Sequence, residues 1–296
     1  MTLRTTVGVA ALAVLACAVG AFYYLRARGA QPVQEVVSPP PAGFRDAPPP
    51  AKPASAAAGK PRLPAVSKKA AAPVDTALPL RAGEVLEYTA NVSNLENVAS
   101  LKLEVAGRGT FLGKSVWHLQ AFAHTQSPLR MVFELDDQFD SYSDAATLAS
   151  LQYEMRLNER GQKVESLQRM TATGKEPASP DAAQARVLPG TRDPLGFMQY
   201  LRNFDWAKTP EVRCPVYDGH KLYDVRAKLR AASEKVNVPA GDYLASKIGI
   251  RVFDNGVETK DASFTLYLAN NAVHTPVLLE AVMPFATARV ELLKTK

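Results

Sequence analysis

Residues 7–25 (VGVAALAVLACAVGAFYYL) form an uninterrupted apolar run, and a long Pro/Ala-rich stretch separates it from the first segment patterned like a folding chain. About 19 residues without a charge are enough, as a helix, to cross the ~30 Å hydrocarbon core of a bilayer. Everything that follows is then expected on one side of a membrane, as a domain on a tether. The run therefore divides the chain into residues 1–29 (signal-anchor or transmembrane segment), 30–79 (linker) and 80–296 (folded domain).

The apolar run continues through Phe22, Tyr23, Tyr24 and Leu25 to Arg26 and Arg28, where a cleaved signal would end in small residues. This favours an uncleaved anchor, with the tyrosine pair at headgroup level beside the two arginines. Two other readings stay open. One is a cleaved signal; the other is acylation at Cys17, because Val14-Leu15-Ala16-Cys17 resembles the lipobox of bacterial lipoproteins. Against the lipobox stands the apolar character of residues 18–25, and a plain alternative for Cys17 is a small residue inside a helix. Arg4 and the terminal amine face Arg26 and Arg28, so charge alone barely sets the orientation.

From residue 30 to 79 the composition turns to Pro, Ala, Lys and Ser, with Pro39-Pro40-Pro41 and Pro48-Pro49-Pro50. Such a segment buries too little apolar surface to offset chain entropy and is expected to be disordered, partly in polyproline II. At roughly 3.1 Å per residue it reaches at most about 150 Å. It resembles the periplasm-spanning linkers of the TonB family, although a simple spacer fits equally well. The formal charge of +6 divides evenly between residues 1–29 and 30–79 and leaves 80–296 neutral. A neutral domain has no electrostatic footprint for nucleic acid, so the basic tether is expected to meet at most anionic lipids or cell-wall polymers.

The sequence has two cysteines, Cys17 and Cys214, so the domain has no internal disulfide, and Cys214 is expected as a small buried residue in a strand. Period-two alternation starts at Val85, Tyr88 and Val92. It recurs at 101–105, 116–123, 151–157, 164–170, 221–229, 243–252, 262–268, 277–283 and 288–293. Turn signals at Asn158 to Gly161, Asp218-Gly219, Pro239-Ala240-Gly241, Asn255-Gly256 and Asn270-Asn271 separate the later runs. The expected fold class is mainly β: a curved antiparallel sheet, as a half-barrel or open barrel, with one main helix. Asp193-Pro194 predicts that helix, with the Asp as N-cap and the Pro at the first helical position. Leu195, Phe197, Met198, Tyr200, Leu201 and Phe204 then give a broad apolar face, placing the helix over 195–204.

Several blocks, in order, resemble the bacterial family called domain of unknown function 3108: residues 83–88 (GEVLEY), 136–148 (DDQFDSYSDAATL), 193–202 (DPLGFMQYLR), 216–223 (VYDGHKLY), 238–243 (VPAGDY) and 274–277 (HTPV). The resemblance implies a periplasmic or secreted protein of Gram-negative bacteria without an established activity. It also implies a shape like that of the Lol-type lipoprotein carriers, which hold acyl chains between a curved sheet and helices. The anchor and tether depart from a typical member and argue against a freely diffusing shuttle.

His118, His124, His220 and His274 lack zinc-type spacing, and the acids Asp136, Asp137, Asp140 and Asp144 lack the Gly and Glu of a calcium loop, so these acids are expected in a solvated strand-to-loop turn. No nucleophile elbow, P-loop or dinucleotide fingerprint is present. The expectation is a protein that is not an enzyme, with no metal and no cofactor, held in the inner membrane with its C-terminal domain in the periplasm. Its partner would be an apolar ligand such as an acyl chain, contacted by Phe197, Tyr200, Leu201 and Phe204. Alternatives are an envelope scaffold that recruits another protein and an envelope hydrolase, for which Ser141 and Ser143 lack a nominated base. Tyr217, Tyr223, Tyr243 and Tyr267 are either groove-lining or ordinary strand and core aromatics.

Overall fold

The computed structural model describes residues 45–46, 80–131, 133–172, 183–260, 262–284 and 286–296. The expected membrane segment, Cys17 and all of the linker except Arg45 and Asp46 lie outside the described residues. Among the described residues no helix is long and apolar enough to cross a membrane.

The chain forms β1 (Arg45–Asp46), β2 (Val85–Val92), β3 (Leu95–Phe111), β4 (Lys114–Thr125), a 3-10 turn (Leu129–Met131), β5 (Asp136–Asp144), β6 (Ser150–Glu159), β7 (Gln162–Ala172) and β8 (Ala183–Val187). Helix α1 (Pro194–Asn203) follows, then β9 (Glu211–Tyr217), β10 (Leu222–Val238), β11 (Gly241–Asp254), β12 (Val257–Glu258), β13 (Ser263–Ala269), β14 (Pro276–Met283) and β15 (Ala286–Thr295). The strands join one sheet in the order β8-β7-β6-β5-β4-β3-β2-β15-β14-β13-β11-β10-β9, with β1 beside β3 and β12 beside β11. The first and last long strands, β2 and β15, thus lie side by side in the middle, each continuing into a meander. The two edges, β8 and β9, are consecutive in the chain and flank α1.

Pairing is antiparallel, as expected, with one exception at the edge, where β7 and β8 run parallel. The physical origin of the meander is the alternation of side chains. Leu101, Leu103 and Val105 of β3 face inward opposite Ala123, Ala121 and Leu119 of β4, while Lys102 and Glu104 between them form an ion pair on the other face. Outward ion pairs recur on β14 and β15, where Arg289 bridges Glu280 and Glu291, positions at which a lipid-facing strand would be apolar. At the Asn255-Gly256 turn both residues take positive φ, 48° and 83°, the conformation this pair tolerates best.

Helix α1 packs against β4, β5 and β9. Strands β4 and β5 are neighbours, but β9 stands at the far edge of the sheet order, so the sheet must curve around the helix, which occupies its concave side. Residues 188–193 bridge β6 and β9: Ser150 N–H donates to Thr191 O (3.0 Å), Arg192 N–H to Pro215 O (3.1 Å) and Tyr217 N–H to Arg192 O (2.8 Å). On the other side the long β10–β11 hairpin bends at two register shifts. Its tip crosses to β15, where Ala240 N–H meets Leu292 O at 2.9 Å. Val236 and Val238 of that hairpin enter one continuous apolar core that includes α1 and every long strand meander. Burying each such side chain is worth about 1.5–3 kcal/mol, so the hairpin is held across the sheet by packing.

Residues 136–144 correct the expectation of a solvated turn. They form β5, with Asp137, Phe139, Ser141 and Ser143 on the inward face and Asp140 and Tyr142 on the outward one, all buried. Acid-rich composition hides a strand whose carboxylates find partners only after neighbouring strands are in register.

Candidate functional site

Helix α1 starts where the sequence places it. Asp193 is the N-cap, its carboxylate accepting from Gly196 N–H at 2.8 Å, and Pro194 opens the first turn. The other carboxylate oxygen accepts from Ser141 Oγ (2.5 Å) and Ser150 Oγ (2.6 Å), while Asp193 N–H donates to Ser150 Oγ. Ser143 Oγ lies 2.8 Å from Ser141 Oγ. Gly196 permits this approach, since a Cβ there would come within 2.9 Å of Ser143 Oγ. Burial holds the Asp193 carboxyl above the usual carboxylate range, against the pull of those hydrogen bonds. The group is a fully answered cap, built from strands β5 and β6 as well as from the helix.

At the other end of α1, Arg202 is completely buried. Its guanidinium grips both carboxylate oxygens of Glu84 (2.8 and 2.9 Å), Gln199 Oε1 (2.8 Å) and Val273 O (3.0 Å). His274 Nδ1–H donates to Arg202 O at 2.7 Å. A buried guanidinium is tolerated only with this degree of pairing, so the helix is pinned at both ends by charge.

Between these pins lie the four side chains expected to contact a ligand. Phe197 and Leu201, each 1% exposed, belong to the core. Tyr200 and Phe204 are half-buried against it. With Trp206 they form a ridge, with ring centroids 5.6 Å apart for Tyr200 and Phe204 and 4.8 Å for Phe204 and Trp206. The Arg192 guanidinium lies 3.6 Å from the Tyr200 ring centre, a cation–π contact, and donates to Cys214 Sγ and Thr147 O. Burial pushes the Cys214 thiol up, which makes it a poor nucleophile.

A second polar group occupies the outward face of β4, β5 and β6. Asp140 accepts from Gln120 Nε2 (2.7 Å), Gln138 Nε2 (2.8 Å) and Arg156 Nη1 (2.7 Å), and His118 Nε2 lies 2.8 Å away. Burial raises the Asp140 carboxyl, but the His118 and Gln hydrogen bonds together outweigh it and hold the group below its usual range. Arg156 also pairs with Glu154, and the His118 ring stacks on Tyr142 at 4.5 Å. Ser141 and His118 thus stand on opposite faces of the sheet. The structure brings serine to an acid and histidine to an acid, at two separate places.

A third group is less settled. Asp137 and Glu159 sit diagonally on the inward face of β5 and β6, both buried. Asp137 accepts from Asn158 N–H at 3.0 Å, yet Asp137 Oδ2 and Glu159 Oε2 have no hydrogen-bond partner. Burial, with Glu159 adding repulsion, pushes Asp137 up to about 8, and burial pushes Glu159 up to about 7.

Of the four tyrosines, Tyr217 and Tyr223 lie on the paired strands β9 and β10, Tyr243 on β11 and Tyr267 on β13. Tyr217 bonds Gly219 O, Tyr267 bonds Glu280, and Tyr223 is buried with an unpartnered hydroxyl. Of the features missed by sequence reasoning, Arg202 and Glu84 were within resembling blocks but carried no mark of their pairing. The alternation of 136–144 was the available signal for β5.

Among the described residues these features define a class: a β sheet wrapped around one helix that is fixed by buried charge. The chain belongs to the family described as protein of unknown function, DUF3108, which matches residues 87–293. No curated protein matches the sequence. Among solved structures, it is similar to a beta-barrel-like protein of domain of unknown function DUF1849 from Brucella abortus, with TM-score 0.44, 10% identity, and coverage of 73% of this chain and 97% of that one. It is also similar to a candidate lipoprotein from Parabacteroides distasonis (TM-score 0.36, 12% identity, 74% and 97% covered). A third similar structure is a candidate exported protein with a YmcC-like fold from Bacteroides fragilis (TM-score 0.32, 9% identity, 74% and 98% covered).

Proposed function

We propose that the chain is a non-enzymatic cell-envelope protein, anchored in the inner membrane through residues 7–25, whose DUF3108 domain acts in the periplasm as a binding scaffold for an envelope partner. The observation that carries this reading is the position of α1. Phe197 and Leu201 fill the concave side from within, and Arg202 locks the helix to Glu84, so the domain presents its surface rather than its interior. The separation of Ser141 from His118 by the sheet supports a role without acyl-transfer chemistry.

A second reading, uptake of an acyl chain, is favoured by the ridge in which half-buried Tyr200 and Phe204 stack toward buried Trp206. Native mass spectrometry of the full chain, with lipid extraction, separates the two. The scaffold reading expects no stoichiometric lipid adduct. One lipid per chain, lost in Tyr200→Asp while the protein stays folded, would overturn it and establish the second reading.

A further inference from the structure

Strand β3 outruns its neighbour. Strand β2 pairs with it from Leu95 to Glu104, and Gly83 N–H reaches Val105 O at 2.7 Å, whereas β4 follows it on the other side to Phe111. Residues 106–111 (AGRGTF) therefore offer an edge beyond the reach of β2, with glycines at 107 and 109 that let another backbone come close. Such an edge is a template for a further strand. On its outward side lies a small apolar cluster of Phe111, Val116, Tyr142 and Leu151, separate from the main core.

Strand β1 occupies this edge antiparallel, with Arg45 opposite Thr110 and Asp46 opposite Gly109. The sequence around β1 explains why this piece of the linker can pair. Between Pro39-Pro40-Pro41 and Pro48-Pro49-Pro50 stands AGFRDA, residues 42–47, each with a backbone N–H, whereas the flanking prolines have none to donate. We propose that the 106–111 edge of β3 is a docking site for the chain's own tether, which adds to the sheet by strand pairing at Arg45–Asp46. Thirty-three residues, 47–79, separate that segment from the domain in the sequence. A linker of that length keeps the segment at an effective concentration on the order of millimolar, so a short ladder suffices.

The docking does not depend on the membrane anchor, but the reach of the domain does depend on both. With the dock made, the spacer from Arg26 to Phe44 spans at most about 60 Å in polyproline II, at roughly 3.1 Å per residue; undocked, the spacer to Pro79 spans about 170 Å. The tether thus has two lengths, and a competing extended peptide at β3 would release the longer one.

The test uses the full chain with Cys17→Ala and Cys214→Ala, carrying Arg45→Cys with Thr110→Cys. A control pair carries Ala57→Cys with Thr110→Cys. Under mild oxidation the first pair is expected to form an intrachain disulfide at least ten times faster than the control. Equal rates would overturn the proposal. Disulfide-linked dimers as the main product would assign the edge to a second copy's tether and overturn it equally. In an independent measurement, hydrogen exchange at 106–111 is expected to rise at least tenfold in Asp46→Pro, and unchanged protection would remove β1 from the edge.

Discussion

Asp193 and the Asp137–Glu159 pair are buried acids on the same inward face, raised above the usual range by the same cause, and yet their situations are opposite. Asp193 accepts from two serine hydroxyls and a helix N–H, so its burial is balanced by bonds that also fix the start of α1. Asp137 and Glu159 each keep an oxygen without a partner, and Glu159 adds to the cost of ionising Asp137. The lesson is that burial alone says little about an acid; the count of donors aimed at it decides whether it holds the fold or strains it.

The largest expected effect comes from the cation at the other end of the same helix. Arg202→Met leaves Glu84, Gln199 and Val273 O without their donor and is expected to destabilise the domain by about 3–5 kcal/mol, measured by chemical denaturation. Asp193→Ala follows at about 2–4 kcal/mol, combining a lost cap of ~1 kcal/mol with ~1–3 kcal/mol for serine hydroxyls left unanswered inside the protein. A loss under 0.5 kcal/mol for Asp193→Ala would end the contrast with Asp137.

The double variant Asp137→Asn, Glu159→Gln should act in the other direction and depend on pH. In an unfolded chain these groups titrate near 4, against about 8 and about 7 in the fold. From about pH 4 to pH 8 the unfolded chain has released protons that the folded chain retains, so stability falls as pH rises through that window and levels off above it. Thermal melts should show the variant more stable by about 1–3 kcal/mol at pH 8, equal to the parent near pH 4, and flatter between. The smallest effect is at the surface: Lys208→Ala, which removes a solvent-exposed pair with Asp205, should leave the denaturation midpoint unchanged.

Much of the frame was legible. The Asp193-Pro194 cap, the Asn255-Gly256 turn and the alternating runs identify the helix and most strands, because each depends on side chains within a few residues of one another. Strands β3 and β10 run further than their patterns suggest, β10 through two register shifts that break strict alternation. Strand β5 was obscured because aspartate and serine disfavour strands in isolation, and their partners arrive only with β4, β6 and α1. The candidate contacts divide for a similar reason: periodicity puts Phe197, Tyr200, Leu201 and Phe204 on one broad face but does not tell which of them meets the sheet.

The sequence by itself determined the mainly β class, the single helix and its start, since propensity, capping and period are local properties. Only the tertiary structure decided that the helix sits inside the curved sheet, that Ser141 and His118 end on opposite faces, and that Arg202 meets Glu84 across 118 residues of chain. Those outcomes depend on which strands become neighbours, and strand neighbours are chosen by the burial of a whole core rather than by any one segment of sequence.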